Sequence, residues 1–513
     1  MKKFRSTIYL ALILLASCTK NFEAINTNPN SPDKVSNPGL LLPNAIRSSI
    51  NRHLYNSYAR GSIVANLLAS DYASNFSNWA RSDANGYFYW FFYDYIRDLN
   101  EIIKISETNK TNNYKGVALV LRSWMFQCLT DTYGPIPFRE AANAKLEDIS
   151  KPKFEQQEAV YAGLLADLEE ANTLLGSTGE TLVGDILYGS NVTKWKKLAN
   201  GLSLRLLLRQ SKRKDPTTAM KNIVEHPDKY PLFQSYEDQA ALQYLTDRQD
   251  NESPFYRSGN GGTDTKLTKQ LISYLKGMTD SRLYVYALPT PASSEIGANG
   301  ARPDPKLFQY EGELNGTGLF TNPNNSSPFG MLWMSIQYSP DLASPTAPQG
   351  IIMSYSEVQF ILAEAAELGY ITGGSTSAQT YYLNGIKDQF KYYASRIPGN
   401  YAASYLKLKA SDIMAPDSYF TQNAVAYAGT SQQKLEKIWL QKWISLYMVG
   451  FEAWSEWRRT GFPNIPVGPV GPGYIPRRCL YPADELRIND VNYKEATTWL
   501  GADDLKTHVW WDK

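Results

Sequence analysis

YKGVALVLRSWMFQCLTDTYGPIPF, residues 114–138, is the stretch from which the fold is read. Val117, Val120, Leu121, Trp124, Met125, Cys128 and Leu129 recur at i, i+3, i+4, i+7, i+8, i+11 and i+12. That period lays them on one continuous face of a helix. Gly134, Pro135 and Pro137 follow and stop it, because proline has no amide hydrogen to donate and crowds the preceding turn.

The same period appears on both sides of this stretch. Gln157 to Leu175 reads as a helix ended at Gly176. Trp195, Leu198, Ala199, Leu202 and Leu206 form another apolar face, and Leu435, Ile438, Trp439, Trp443 and Leu446 form a further one. In SYSEVQFILAEAAELGY, Ser354 and Glu357 fit a capping box, and Val358, Ile361, Leu362 and Ala365 make the stripe. Gly369 stands where a C-cap glycine belongs. Strand-like alternation is rare and short. The expectation is a mainly α fold, with helices spaced as in an array of diverged helical hairpins and no clean sequence repeat. Between the helices lie irregular stretches at 251–265, 287–350 and 461–482. Loops of that length in a globular chain carry function more often than packing.

The N-terminus has its own pattern. Lys2, Lys3 and Arg5 precede an apolar run from Ile8 to Ala16, well short of the ~20 residues that span a bilayer. Leu15-Ala16-Ser17-Cys18 is similar to the lipobox of bacterial lipoproteins, in which cleavage before the Cys leaves it to carry acyl chains. On this reading residues 1–17 are a lipoprotein signal peptide and Cys18 is the lipid anchor. Each buried methylene adds about 0.8 kcal/mol, so two or three acyl chains hold a protein on a membrane almost permanently. Residues 18–38, rich in Asn, Pro and Ser, are a polar tether that buries too little apolar area to fold alone. Residues 39–513 are then one domain.

Composition narrows the function. There are 52 Lys and Arg against 50 Asp and Glu, and no basic stripe interleaved with aromatics, so nucleic acid is not a partner. After Cys18 only Cys128 and Cys479 remain, and Cys128 falls on the apolar helical stripe, where a buried cysteine outside any disulfide is expected. His53, His226 and His508 have no second ligand at metal spacing, and no phosphate loop, HExxH or GxSxG occurs. No cofactor, metal site or catalytic group is expected. Glu364 with Glu367, and Glu452 with Glu456, are the paired carboxylates a glycoside hydrolase would need, but helical spacing of i+3 or i+4 reads first as a solvated face.

Aromatic residues are the densest signal, with 35 Tyr and 12 Trp. ASNFSNWARSDANGYFYWFFYDYI, residues 73–96, holds more rings than a helix starting near Asn85 can bury on one face. Trp79 sits apart, with Asn75, Arg81, Asp83 and Tyr87 nearby. A ring beside such polar groups suits a sugar, whose C–H face lies on the ring while its hydroxyls meet the side chains. Trp333 and Tyr338, in FGMLWMSIQYS, have the same character. These seven residues are the candidate ligand contacts, and the alternative for each tryptophan is a plug in the core.

With these motifs in order, the chain resembles the SusD/RagB nutrient-binding outer-membrane lipoproteins of Bacteroidetes, in the second-type SusD-like branch. The resemblance rests on Phe22 to Asn30 and on Trp90 to Asn100. It continues through Leu121-Arg122-Ser123 with Thr132 to Phe138, then Trp195 to Asn200, and Asp280 to Leu283. Tyr355 to Gly369, Gln441 to Pro463, and Arg477 to Asn489 complete it. It implies a tetratricopeptide-like helical-hairpin scaffold with a long-loop, ligand-binding side. It also implies no enzyme activity and a lipid-anchored place on the cell outer membrane, facing outside. The partner it implies is a SusC-like TonB-dependent barrel that receives the captured oligosaccharide for import. The same fold binding peptides, an anchored glycoside hydrolase and a structural helical adaptor stay open as alternatives. Binding residues vary with ligand in such a family, so none carries over by motif.

Overall fold

Residues 114–138 form most of a helix that runs from Asn112 to Tyr133 and stops at Gly134, which takes a positive φ of 91°. The computed structural model describes residues 36–70, 88–257, 265–297, 301–317, 319–320, 322–337, 339–470 and 472–512. In chain order the helices used below are α1 (Leu42–Asn56), α2 (Phe92–Asn109), α3 (Asn112–Tyr133), α4 (Gln157–Leu174) and α5 (Val192–Arg209). They continue as α6 (Lys269–Gly277), α7 (Tyr355–Glu367), α8 (Gly374–Arg396), α9 (Ser431–Ser445) and α10 (Gly450–Thr460). Three small antiparallel ribbons pair β1 (Leu68–Ser70) with β5 (Thr265–Leu267), β2 (Ile136–Pro137) with β3 (Phe154–Glu155), and β4 (Ala240–Gln243) with β6 (Gln349–Met353).

Successive helices pack on one another: α2 on α3, α3 on α4, α4 on α5, α5 on α7, and α7 on both α8 and α9. This is the helical-hairpin array that the apolar periods imply. The sequence places one apolar face on α3, and the structure buries more. Ala118, Leu119, Phe126 and Tyr133 are inside along with the expected stripe, because α2 and α4 flank the helix. Cys128 is the half-buried member of that stripe, and no disulfide joins it to Cys479.

The helix ends are written in capping residues. Ser354 caps α7 by accepting from the Glu357 N–H at 3.1 Å. The expected capping box is only half formed, because the Glu357 carboxylate turns inward to the Arg205 guanidinium at 2.6 and 2.8 Å. At the other end Gly369 has φ 78°, and Tyr370 N–H reaches Ala365 O at 2.8 Å, a Schellman closure that needs the left-handed residue. A complete box does form at Thr430 and Gln433, at the start of α9.

One crossing admits no side chain. Gly61 and Gly450 face each other, and a Cβ on Gly450 would overlap the backbone of Gly61 and Ser62. Among the described residues no helix is long and apolar enough to cross a membrane.

Candidate ligand-binding face

The segment carrying Asn75, Trp79, Arg81, Asp83 and Tyr87 lies outside the described residues, as do Tyr338 and Cys18. The structure defines the frame that bounds that segment. In the β1–β5 ribbon Ser70 pairs with Thr265, so residue 71 follows, and residue 264 precedes, the same rung. A third strand-like stretch joins them: Leu267 N–H donates to Ser327 O at 3.1 Å, and Phe329 N–H donates to Thr265 O at 3.2 Å. Under the ribbon the Tyr58 and Thr265 hydroxyls share a hydrogen bond of 2.8 Å. The Tyr58 ring meets Phe255 edge-on at 5.1 Å and Phe329 at 4.7 Å. Three loops far apart in sequence therefore start from one rigid, aromatic-backed edge.

Gly330, with φ 54°, turns the third stretch inward, and its N–H donates to Tyr286 O at 2.5 Å. The short turn Met331–Trp333 follows. This puts Trp333 beneath the face. Its residue is 3 % exposed, and its ring stands edge-on to Tyr447 at 5.5 Å. Tyr447 in turn stacks on Tyr286 at 4.1 Å. The Trp333 indole N–H has no hydrogen-bond partner among the described residues. As the structure stands, Trp333 supports the face from below, which is the core alternative of the sequence reading. Burial pushes the Tyr447 hydroxyl well above its ordinary pKa, so it stays neutral and donates to Tyr286 O at 2.9 Å.

Beyond Trp333 the chain returns to the edge. Ile336 N–H donates to Tyr256 O at 2.9 Å, and the Gln337 carboxamide donates to Arg257 O at 3.2 Å. Arg257 lies over the Tyr256 ring at 5.3 Å and pairs with Glu252 at 2.5 and 2.9 Å. That hydrogen bonding holds the Glu252 carboxyl below its usual range. Tyr256, Arg257 and Gln337 thus put a ring, a cation and an amide together on this side of the fold. The sequence reading passed over them as irregular, and the signal was Tyr256-Arg257, separated only by Ser258 from Gly259-Asn260-Gly261-Gly262.

The paired carboxylates are elsewhere, and three of the four are sealed from solvent. Glu364 is fully buried, and both its oxygens accept from Arg459 at 2.6 Å. Glu456 takes Arg459 at 2.7 Å, Lys442 at 2.9 Å and Arg209 at 3.1 Å. Burial alone would raise the Glu456 pKa, yet Arg459, Lys442 and Arg209 hold it well below the usual carboxylate range. Glu452 pairs with Arg209 and accepts from Gln127 at 3.4 Å. Glu367, at the surface end of α7, accepts from Ser375 at 2.5 Å and Tyr427 at 2.7 Å. The solvated-face reading is therefore wrong for Glu364, Glu452 and Glu456. Tertiary packing buries the faces of α7 and α10 that carry them, and the arginines opposite neutralise them. A carboxylate sealed from solvent and tied to arginine neither protonates a leaving group nor activates water.

His53 is buried with Nδ1 on the Tyr89 hydroxyl at 2.8 Å, and burial, helped by Arg205, drives its pKa down to about 3, so it is neutral. Among the described residues no three His, Cys, Asp or Glu side chains are grouped to hold a metal ion.

Residues 29–482 match the family described as starch-binding, associating with the outer membrane, SusD-like_2. Solved structures similar over 93 % of this chain include the following three. One is a Bacteroides vulgatus protein whose assigned place is the outer membrane and whose suggested role is nutrient binding, 27 % identical over 100 % of its length with a TM-score of 0.77. A SusD homologue from Bacteroides fragilis is 25 % identical over 99 % of its length, with a TM-score of 0.75. A chitin-binding protein is 27 % identical over 100 % of its length, with a TM-score of 0.72. No curated protein matches the chain.

Proposed function

The chain belongs to the SusD-like_2 family, and on that premise we propose that it is a non-catalytic outer-membrane binding protein that captures oligosaccharide and delivers it to a SusC-like TonB-dependent transporter. The observation that carries the reading is the family match across residues 29–482, supported by a similar solved structure that is chitin-binding. The helical-hairpin scaffold supplies the rigid body. The loop edge at Ser70, Thr265 and Phe329 supplies the holding side, with Trp79 as its stacking ring and Asn75, Arg81, Asp83, Tyr87 and Tyr338 around it. Acylated Cys18 and the tether to residue 38 keep the molecule on the outer membrane, facing outside. Such a carrier has to release what it captures, so an affinity of about −8 to −4 kcal/mol suits the task. The burial of Glu364, Glu452 and Glu456 in ion pairs favours binding over the hydrolase alternative.

Calorimetric titration of the lipid-free protein with maltohexaose and with chitohexaose tests this. Binding of either is expected, with Trp79→Ala weakening it by about 1–3 kcal/mol while the fold is kept. Binding of peptides with no saccharide signal, or release of reducing ends from the sugar, would refute it.

A further inference from the structure

A second cleft, of about 460 Å³, opens between α6, the loop 422–430, α9 and the turn at Phe462. Its size falls within the roughly 300–1,000 Å³ range of ligand sites. Two half-buried rings line it, Tyr274 from α6 and Phe462 after α10. Each is backed by a tryptophan of α9, and the two tryptophans are one turn apart. Tyr274 meets Trp443 edge-on at 6.1 Å, and Phe462 leans on Trp439 at 6.3 Å. Rings braced in this way lose little freedom when something stacks on them.

The walls are tied to one another before any ligand arrives. Gln270 of α6 donates to Asn464 O at 2.8 Å, and Gln422 donates to Met278 O at 2.9 Å. The Lys437 ammonium donates to Ala426 O at 2.7 Å and Ala428 O at 3.0 Å, and buried Tyr382 donates to Val425 O at 2.8 Å. Around the rings stand Ser273, Asn423, Gln433 and Glu436. Lys437 and Glu436 are adjacent and of opposite sign, so neither an anion nor a cation is favoured. Rings, amides and a hydroxyl without net charge fit a neutral polyhydroxy ligand.

We propose that this cleft is a second saccharide-binding site, separate from the loop edge at Ser70 and Thr265, taking a short stretch of a neutral glycan against Tyr274 and Phe462. It does not depend on Trp79. A two-site carrier would hold one chain at two places, or keep a second chain nearby at an effective concentration set by the distance between sites.

The test uses protein labelled with 5-fluorotryptophan and titrated with maltohexaose and chitohexaose, read by fluorine NMR with signals assigned by single Trp→Phe variants. Trp439 and Trp443 report the cleft, and Trp79 reports the loop edge. A saccharide is expected to shift the Trp439 and Trp443 signals. Tyr274→Ala should weaken that shift at least tenfold and leave the Trp79 response unchanged. Gly277→Phe is the second variant. A Cβ on Gly277 meets nothing within 4 Å, so the new ring fills the cleft without disturbing the core, and it should block the same shift. No response at Trp439 and Trp443 to either sugar, or a response that both variants leave within twofold, overturns the proposal. A Trp79 response persisting in that case leaves the loop-edge reading standing. A cleft response without one at Trp79 sinks that reading alone.

Discussion

Replacing Arg209 by Met probes what holds the helices in register. Asp131, Glu357, Glu364, Glu452 and Glu456 are joined in one buried ion-pair cluster to Arg205, Arg209, Lys442 and Arg459, five carboxylates against four cations. Arg209 has no exposed side-chain surface. It reaches Asp131 at 2.8 Å, Glu456 at 3.1 Å and Glu452, and lies 5.2 Å from the Trp511 ring. Arg209→Met keeps most of the volume and removes the charge, which leaves five anions facing three cations in a dry interior. Breaking a buried pair by taking one partner costs about 3–5 kcal/mol, because the remaining charge is stranded. The sign of the pH effect follows. Burial already raises the Asp131 pKa, with Arg209 the largest opposing influence, so losing Arg209 raises it further. A carboxylate whose folded pKa is raised gives stability below its unfolded value and loses it as pH climbs through the folded one. The folded variant should therefore hold a proton on Asp131 more readily than wild type does. Its deficit should shrink as pH falls from 7 to 5.5. Urea denaturation of wild type and variant at both pH values measures this, with equal m-values as the check that the unfolded states match. A loss below about 1 kcal/mol at pH 7, or a loss independent of pH, would refute the claim that buried ion pairing holds this core.

Three further outcomes are expected. Burial pushes the Asp388 pKa up to about 6, so its stability contribution is present below the ordinary value of 3.8 and is lost as pH rises through about 6. Asp388→Asn should thus stabilise by about 3 kcal/mol at pH 7.5 and by nothing at pH 3.5, read from denaturation midpoints. Gly450→Ala should destabilise by about 2–4 kcal/mol, since the overlap at Gly61 and Ser62 is with backbone that cannot rotate away; a thermal midpoint unchanged by the substitution would contradict the close crossing. Cys18→Ala should move the protein from the membrane fraction to the soluble fraction in cells that process lipoproteins, and its retention on membranes would contradict the anchor.

The helices could be read from the sequence because their signal is local. Val117 to Leu129 and Val358 to Ala365 repeat within a few turns, and burial of that face is all the fold asks of them. The ion cluster could not be read the same way. Arg209 and Glu456 are 247 residues apart, and Gln127 and Glu452 are 325 apart, so no window holds both partners. A local hint did exist. Arg205 and Arg209 fall three residues after Leu202 and Leu206, and Glu364 three after Ile361, so charges sit on the apolar stripe itself. A charge at a core-facing position, with burial costing several kcal/mol unless it is paired, implies a partner on the opposing helix. Glu452 and Glu456, at i and i+4 on α10, are such partners, and spacing alone made them look like a solvated pair.

The candidate site divides along the same line. That the loop after Ser70 starts beside the one before Thr265 follows from ribbon register, which one hydrogen-bonded rung establishes and no composition does. Trp333 shows how composition misleads: a tryptophan among Met, Ser and Gln reads as a platform, yet the left-handed turn at Gly330 carries it under the face to Tyr447. Tyr274 and Phe462 show the reverse. Neither stands out in sequence, but Trp439 and Trp443 on one helix face hold both rings at the mouth of a cleft. In a chain with so many aromatics, ring identity says little about ligand contact. What separates a platform from a plug is whether the neighbouring rings brace it from behind or cover its face.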